Sequence, residues 1–306
     1  GMVGSAIKRQ LEEKNYENLL TVDRKELDLL DPIATARFFE KNKPEYIFMA
    51  AAKVGGIIAN NKYPADFIYE NLQIQNNVIH NAYLTGVKKL LFLGSTCIYP
   101  RDVPQPMKET ALLTGKLEPT NEPYAISKIA GIKMCQSYNR QYGTNFIACM
   151  PTNLYGPNDN FDLETSHVIP AIMRKIHEAK KANSPKVTIW GTGTPKREFL
   201  HVDDMANACV YMMDQFNPTD NQNESGDMFL NIGYGEDISI LDLTVLMADI
   251  IGYKGKIVKD TSKPDGTPRK LVDSSKLFKL GWKPTITLRN GLELTYKWFL
   301  DNYSDD

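Results

Sequence analysis

The chain carries only four cysteines, Cys97, Cys135, Cys149 and Cys209, and no two of them stand at the spacing of a metal site or a small disulfide framework. Reduced thiols in a cytoplasmic protein are therefore expected. Nowhere does an apolar run reach the roughly 20 residues that a membrane helix needs, so no membrane partner is expected. The net charge is −1, with 36 Lys and Arg against 37 Asp and Glu mixed along the chain. Such mixing leaves no basic stripe to neutralise a phosphate backbone, which argues against nucleic acid as a partner. A small anionic ligand could still meet a local basic pocket. Internal repeats and low-complexity tracts are also lacking. What is present, 306 residues of which 42% are hydrophobic, is globular composition sufficient for one large core and a smaller lobe.

Hydrophobic patterning alternates between helix and strand. Residues 4–14 suit a helix, and Asn18 to Val22 suit a buried parallel strand ending at Asp23. Tyr46 to Ala52 and Lys89 to Gly94 read as further strands, separated by a long helix from about Ala65 to Leu84 that Gly86 closes. Another helix follows Pro123, and Asn145 to Met150 reads as the next strand. Strands spaced by helices build βαβ units with right-handed crossovers, so the expected class is α/β, a doubly wound parallel sheet of the Rossmann type. Residues 1–155 form the expected dinucleotide-binding domain. Residues 156–306 form mainly a smaller substrate lobe, with long loops around Asn158 to Ser166 and Thr261 to Lys270. Phe199 to Met213 and Met228 to Ile232 are apolar enough to return to the main sheet, which makes the lobe discontinuous.

A dinucleotide site in this class places glycines at the turn from first strand to first helix, so that backbone N–H groups face the pyrophosphate. Gly1 and Gly4 have the spacing of the last two of three such glycines, though a surface turn accounts for them equally well. On the first reading, the first glycine and the first strand are expected upstream of residue 1. The strand ending near Val22 runs into Asp23-Arg24-Lys25, where the adenosine ribose should be read. A carboxylate there favours a free 2′-hydroxyl and a guanidinium favours a 2′-phosphate. Arg24 is the basis for expecting NADP, with Asp23 the competing reader.

Tyr124 and Lys128, four residues apart, project from one face of a helix that starts after Asn121-Glu122-Pro123. Chance placement of this many tyrosines and lysines gives roughly one such pair, so the spacing alone decides nothing. The context decides: the strand Leu91 to Gly94 leads into Ser95-Thr96-Cys97-Ile98-Tyr99-Pro100, polar side chains at the carboxyl end of a parallel strand, where ligands bind. Ser95, Tyr124 and Lys128 in this order resemble the Ser/Thr–Tyr–Lys site of extended short-chain dehydrogenase/reductases. The ammonium is expected to favour the phenolate of Tyr124, making it a proton shuttle, and to reach the nicotinamide ribose. Ser95 would hydrogen-bond the substrate carbonyl.

Longer stretches narrow the resemblance: Ala50 to Ile57, Gly94 to Pro100, Met150 to Pro157, Ser166 to Pro170, Gly191 to Asp204 and Lys263 to Lys270. Together they resemble the GDP-L-fucose synthase family. That resemblance implies C3/C5 epimerisation of GDP-4-dehydro-6-deoxy-D-mannose followed by NADPH-dependent reduction of the 4-keto group. It implies Cys97 as base and His167 as acid, whereas by themselves a small buried hydrophobe and a packed imidazole are the simpler readings. It carries over Pro151, Thr152, Asn153, Leu154 and His167 as cofactor contacts, and Lys175, Trp190, Arg197 and Asp265 as GDP-sugar contacts. Lys175 stands where the family commonly has Arg, and Trp190 could equally belong to a lobe core. A homodimer through the Tyr124 helix and the Ala65 to Leu84 helix is implied by resemblance only. His80, His177 and His201 are expected to be structural.

Two competitors share the fold. A nucleotide-sugar dehydratase or 4-epimerase also uses the Tyr–Lys pair, but dehydratases carry an acidic pair where Thr96-Cys97 stands here. A non-catalytic NADP-sensing protein usually loses the tyrosine that this chain keeps.

Overall fold

The structure is a computed structural model that describes residues 1–162, 165–263 and 265–303, apart from the side chains of Ile57 and Ile58. Helix α1 (Met2–Glu13) and α2 (Pro32–Asn42) precede β1 (Tyr46–Met49), and α3 (Ile57–Lys62) and α4 (Pro64–Leu84) lead to β2 (Lys89–Leu93). Then come α5 (Glu122–Tyr142), β3 (Phe146–Pro151), β4 (Asn153–Tyr155), α6 (Val168–Lys181), β5 (Lys186–Trp190) and β6 (Lys196–His201). Next are α7 (Val202–Gln215), α8 (Asp220–Ser225), β7 (Phe229–Ile232), β8 (Asp237–Ser239) and α9 (Ile240–Ile251). The last elements are β9 (Lys256–Asp260), β10 (Arg269–Lys270), α10 (Ser275–Lys279) and α11 (Leu288–Asn302).

The main sheet is parallel, in the order β1-β2-β3-β7, with Phe48 opposite Leu91, Leu91 opposite Ile147 and Cys149 opposite Leu230. Side chains of a strand alternate between faces. On one face Leu90, Phe92, Phe146 and Ala148 pack with Val78 and Ile79 of α4 and Ile129 and Ile132 of α5. On the other, Leu91, Leu93, Ile147 and Cys149 pack with Ala6 and Ile7 of α1 and Met205 and Cys209 of α7. Burial on both faces is why these strands read as unbroken apolar runs. Helix α5 lies so close to the sheet at Gly131 that a Cβ there would meet the Phe92 ring at 2.3 Å.

A third cluster, including Tyr155, Phe161, Met173, Met247, Leu292 and Phe299, joins α6, α9 and α11 away from the main sheet. Strand β6 pairs in parallel with β4 and β10 and antiparallel with β8, while β5 pairs with β9.

One expectation changes. Asn18 to Val22 is not a strand: Leu20 is 52% and Val22 42% exposed, and among the described residues the segment has no ladder partner. An apolar run becomes a strand only where a neighbour takes up its backbone groups. Of the stretch Phe199 to Met213, Leu200 of β6 and the buried face of α7 pack into the main-sheet cluster, although β6 takes its ladder partners from β4, β8 and β10; β7 pairs with β3 in the main sheet. No helix among the described residues is long and apolar enough to cross a membrane.

Candidate active site

The site forms at the carboxyl end of β2, where Ser95 accepts a 3.5 Å hydrogen bond from the Cys97 N–H and so starts the short helical turn Thr96–Ile98. Pro123 lies in the first turn of α5, a position that loses no helical hydrogen bond, and the helix places Tyr124 and Lys128 beside that turn. Lys128 is buried; its Nζ donates to the Leu93 carbonyl at 2.9 Å and stands 4.9 Å from the Phe92 ring centre and 5.7 Å from that of Tyr124. Phe67 meets Tyr124 edge-on at 6.3 Å.

Burial dominates the protonation of these groups. It lowers the Lys128 pKa to about 8. It raises that of Tyr124, as does the nearby Cys97, against a lowering hydrogen bond with Ser95. Desolvation disfavours the Tyr124 anion, so the fold favours the phenol with its proton on. A protonated phenol is the form that can donate to a developing alkoxide.

Cys97 is 8% exposed, and burial raises its pKa while Ser95, Lys270 and Lys128 pull it down. A narrow cavity lined by Thr96, Cys97, Tyr99, Arg101, Glu118 and Lys270 opens from this turn. His167 is the N-cap residue of α6 with an exposed surface, and the protein around it holds its imidazole below the ordinary range. The preceding Ser166 lies near Gly56, whose Cβ would sit 3.6 Å from the Ser166 carbonyl.

Gly1 is the N-cap residue of α1, without a side-chain cap, and a Cβ there would meet nothing within 4 Å. Gly4 approaches Ala50 at the end of β1. Asp23 is committed to its own turn, accepting from the N–H groups of Lys25 at 2.7 Å and Glu26 at 3.0 Å. The Arg24 side chain is 72% exposed and reaches Asp28 and Glu70 at 3.9 Å each. Pro151 ends β3; Thr152 donates from Oγ1 and Asn153 from Nδ2 to the Glu198 carbonyl, and Leu154 packs against the α1–α7 face. An exposed guanidinium and a strand end beside Ser95 suit a dinucleotide phosphate.

The proposed GDP-sugar contacts gather elsewhere, from β5, β6, α6 and the 261–270 segment. Trp190 is 58% exposed, which removes it from a lobe core, and Lys175 and Lys263 stand 5.4 and 5.7 Å from its ring centre. Asp265 accepts from the Thr192 N–H at 2.9 Å and its hydroxyl at 2.8 Å, and fills the space a Cβ on Gly191 would take. Arg197 donates from Nη1 to the Lys196 carbonyl at 2.7 Å. Pro264 of the Lys263 to Lys270 stretch lies outside the described residues.

His80 pairs with Tyr138, His177 with Tyr296, and buried His201 accepts from the Asp203 N–H, all structural arrangements. Sequence reasoning overlooked Lys270 and Lys53. Lys270 sat inside a quoted stretch, but nothing local ties it to Cys97. Lys53 bonds Glu70 and stands 3.4 Å from Asp66.

Residues 1–233 match the NAD dependent epimerase/dehydratase family. The chain is 59% identical to the putative GDP-L-fucose synthase 2 of Arabidopsis thaliana, over 99% of this chain and 90% of that one. It is 55% identical to the GDP-L-fucose synthase of Escherichia coli (strain K12), over 99% and 94%. Among solved structures it resembles MlghC, a GDP-mannoheptose C4 reductase from Campylobacter jejuni with NADP bound, at 42% identity and a TM-score of 0.90, over 98% and 95%. The chain belongs to the NAD dependent epimerase/dehydratase family.

Proposed function

We propose that this chain is a GDP-L-fucose synthase, which converts GDP-4-dehydro-6-deoxy-D-mannose to GDP-L-fucose by epimerising C3 and C5 and then reducing the 4-keto group with NADPH. The observation that carries the reading is a thiol, Cys97, in the same turn as Ser95, a turn packed against α5, the helix that carries Tyr124. Reduction needs only the Ser–Tyr–Lys set; a thiol at that position adds a base. The likeness to two GDP-L-fucose synthases over nearly the whole chain supports the substrate.

The 4-keto group acidifies the C–H bonds on either side, since the carbanion left behind delocalises as an enolate. Cys97 accepts the proton from carbon on one face and His167 returns one on the other. Ser95 hydrogen-bonds the ketone oxygen, and Tyr124 gives that oxygen its phenolic proton. NADPH, when bound, supplies the hydride to C4. Arg24 is the reader of its 2′-phosphate, because Asp23 is spent on its own turn. Lys175, Trp190, Arg197 and Asp265 hold the GDP-sugar, with the planar fork of Arg197 suited to a diphosphate. Two copies associating through α4 and α5, where Tyr69, Leu84 and Tyr142 are exposed, belong to the same reading.

The test is to incubate the protein with the keto-sugar and NADPH and identify the product by NMR. GDP-L-fucose with stoichiometric loss of NADPH is expected. A 4-reduced sugar that keeps the D-manno configuration at C5 identifies a plain C4 reductase and defeats the proposal.

A further inference from the structure

The reaction proposed above asks Cys97 to act as a base, and its burial opposes this by favouring the neutral thiol. Besides Lys270, the charged groups lining the cavity of Cys97 are Arg101, Arg269 and Glu118, of which Arg101 pairs with Asp102 and Arg269 with Asp237. Ser95 hydrogen-bonds the thiol, Lys270 and Lys128 are the cations that favour its anion, and Tyr124 interacts with it from α5. Lys128 donates from Nζ to the neutral Leu93 carbonyl, which fixes its position and leaves its charge, so it acts on Cys97 alongside Lys270. Lys270 lines the same narrow cavity as Cys97, and no hydrogen bond or ion pair among the described residues takes up its ammonium. Its other electrostatic neighbours are Arg197, opposite it in the β6–β10 ladder, and Glu118.

The relation of the two segments is fixed from below. Tyr99, 3% exposed and two residues past Cys97, donates its hydroxyl to Asn231 Oδ1 on β7. Asn231 Nδ2 donates to the carbonyls of Met107 at 2.9 Å and Asp273 at 3.1 Å, and its N–H to Glu109 at 3.0 Å. Met107 in turn bonds Leu271, whose own N–H donates to Gln105 Oε1 at 2.8 Å. A buried polar network this fully satisfied holds one arrangement. It joins the turn of Cys97 to the strand end of Lys270 through β7.

We infer that Lys270 is a positioning residue for Cys97, a cation held beside the thiol that keeps it able to take a proton from carbon. The inference rests on the proposed epimerisation. In the step, the C–H bond breaks, the S–H bond forms and the electron pair passes into the enolate. Lys270 acts through its charge and exchanges no proton, and although burial and Arg197 lower its pKa, Cys97 and Glu118 act to keep the ammonium.

Alkylation of Cys97 by iodoacetamide, followed at that residue by peptide mass spectrometry across pH, reads its thiolate without substrate or NADPH. Scaling each variant to its own high-pH plateau removes differences in access. In Lys270→Gln the half-plateau pH should rise by at least about one unit, the low end for loss of a nearby opposite charge. Lys270→Arg should return it close to the parent value. Solvent deuterium entry at C3 and C5 should move its pH profile in the same direction. An unchanged half-plateau pH in Lys270→Gln overturns the inference. Because alkylation needs no turnover, a chain that cannot epimerise the sugar still gives this titration, so the two readings fail separately.

Discussion

The end of the main sheet and the grip around Trp190 are built on opposite principles. At the sheet end, Lys128 and Cys97 are nearly closed off from water, and desolvation is the largest influence on the pKa values of Lys128, Cys97 and Tyr124. Around Trp190 the aromatic face is open, two ammoniums hover over it, and Asp265 is exposed. Buried chemistry obtains its proton states from the protein itself, before any ligand arrives. On the proposed reading, the open surface around Trp190 is completed by the ligand. Substitutions in the first region should therefore strike the chemical steps, and those in the second should strike affinity.

The largest effect is expected from Tyr124→Phe, which keeps the ring and removes the proton donor. Reduction should fall by at least about 100-fold, the low end for a lost general acid, with NADPH affinity nearly unchanged. Stopped-flow NADPH oxidation at near-parental rate would erase the contrast between the regions. Next comes Cys97→Ser, expected to slow deuterium entry at C3 and C5 by about 100-fold while an already epimerised 4-keto sugar is still reduced. Exchange at the parental rate would return Cys97 to packing.

The buried lysine sharpens the contrast through pH. Its pKa lies at about 8, below the ordinary lysine value of 10.5, so the folded chain loses the Lys128 proton first as pH rises. Between those values the unfolded chain binds more protons, and this group's contribution to stability increases with pH. The reduction step should fall above about pH 8 as the ammonium disappears. Comparing thermal melts with kcat across pH 7–10 separates the opposed trends; a Lys128→Met variant should lose this part of the stability slope.

Smaller effects belong to the open regions. Arg24→Ala should narrow the preference for NADPH over NADH by roughly tenfold, about 1.4 kcal/mol, through loss of one charge-assisted contact. Equal kcat/KM for the two cofactors in the parent chain would instead make Asp23 the reader. Trp190→Ala should raise KM for the GDP-sugar severalfold with kcat within about twofold, the pattern of binding that is uniform between ground and transition states. A fall in kcat alone would place Trp190 with the chemistry.

What the amino-acid sequence determined by itself was whatever depends on near neighbours in the chain. The doubly buried strands are apolar runs, α4 and α5 have their starts marked by Pro64 and Pro123, and Tyr124 and Lys128 share a helix face by their spacing. Ser95 and Cys97 fall in one turn for the same local reason. Tertiary structure decided the rest. Asn18 to Val22 has strand-like residues but lacks a ladder partner among the described residues, and pairing is a property of two segments. Trp190 reads equally as core or contact until its exposure is known. The protonation of Tyr124 depends on how much water the fold removes, and that depended on packing from α4 and the sheet. The placing of Lys270 in the cavity of Cys97 follows from β10 pairing with β6 and from the Asn231 network, contacts between segments far apart in the chain. Local pattern sets which groups are offered; only long-range pairing and desolvation decide which of them meet and in what charge state.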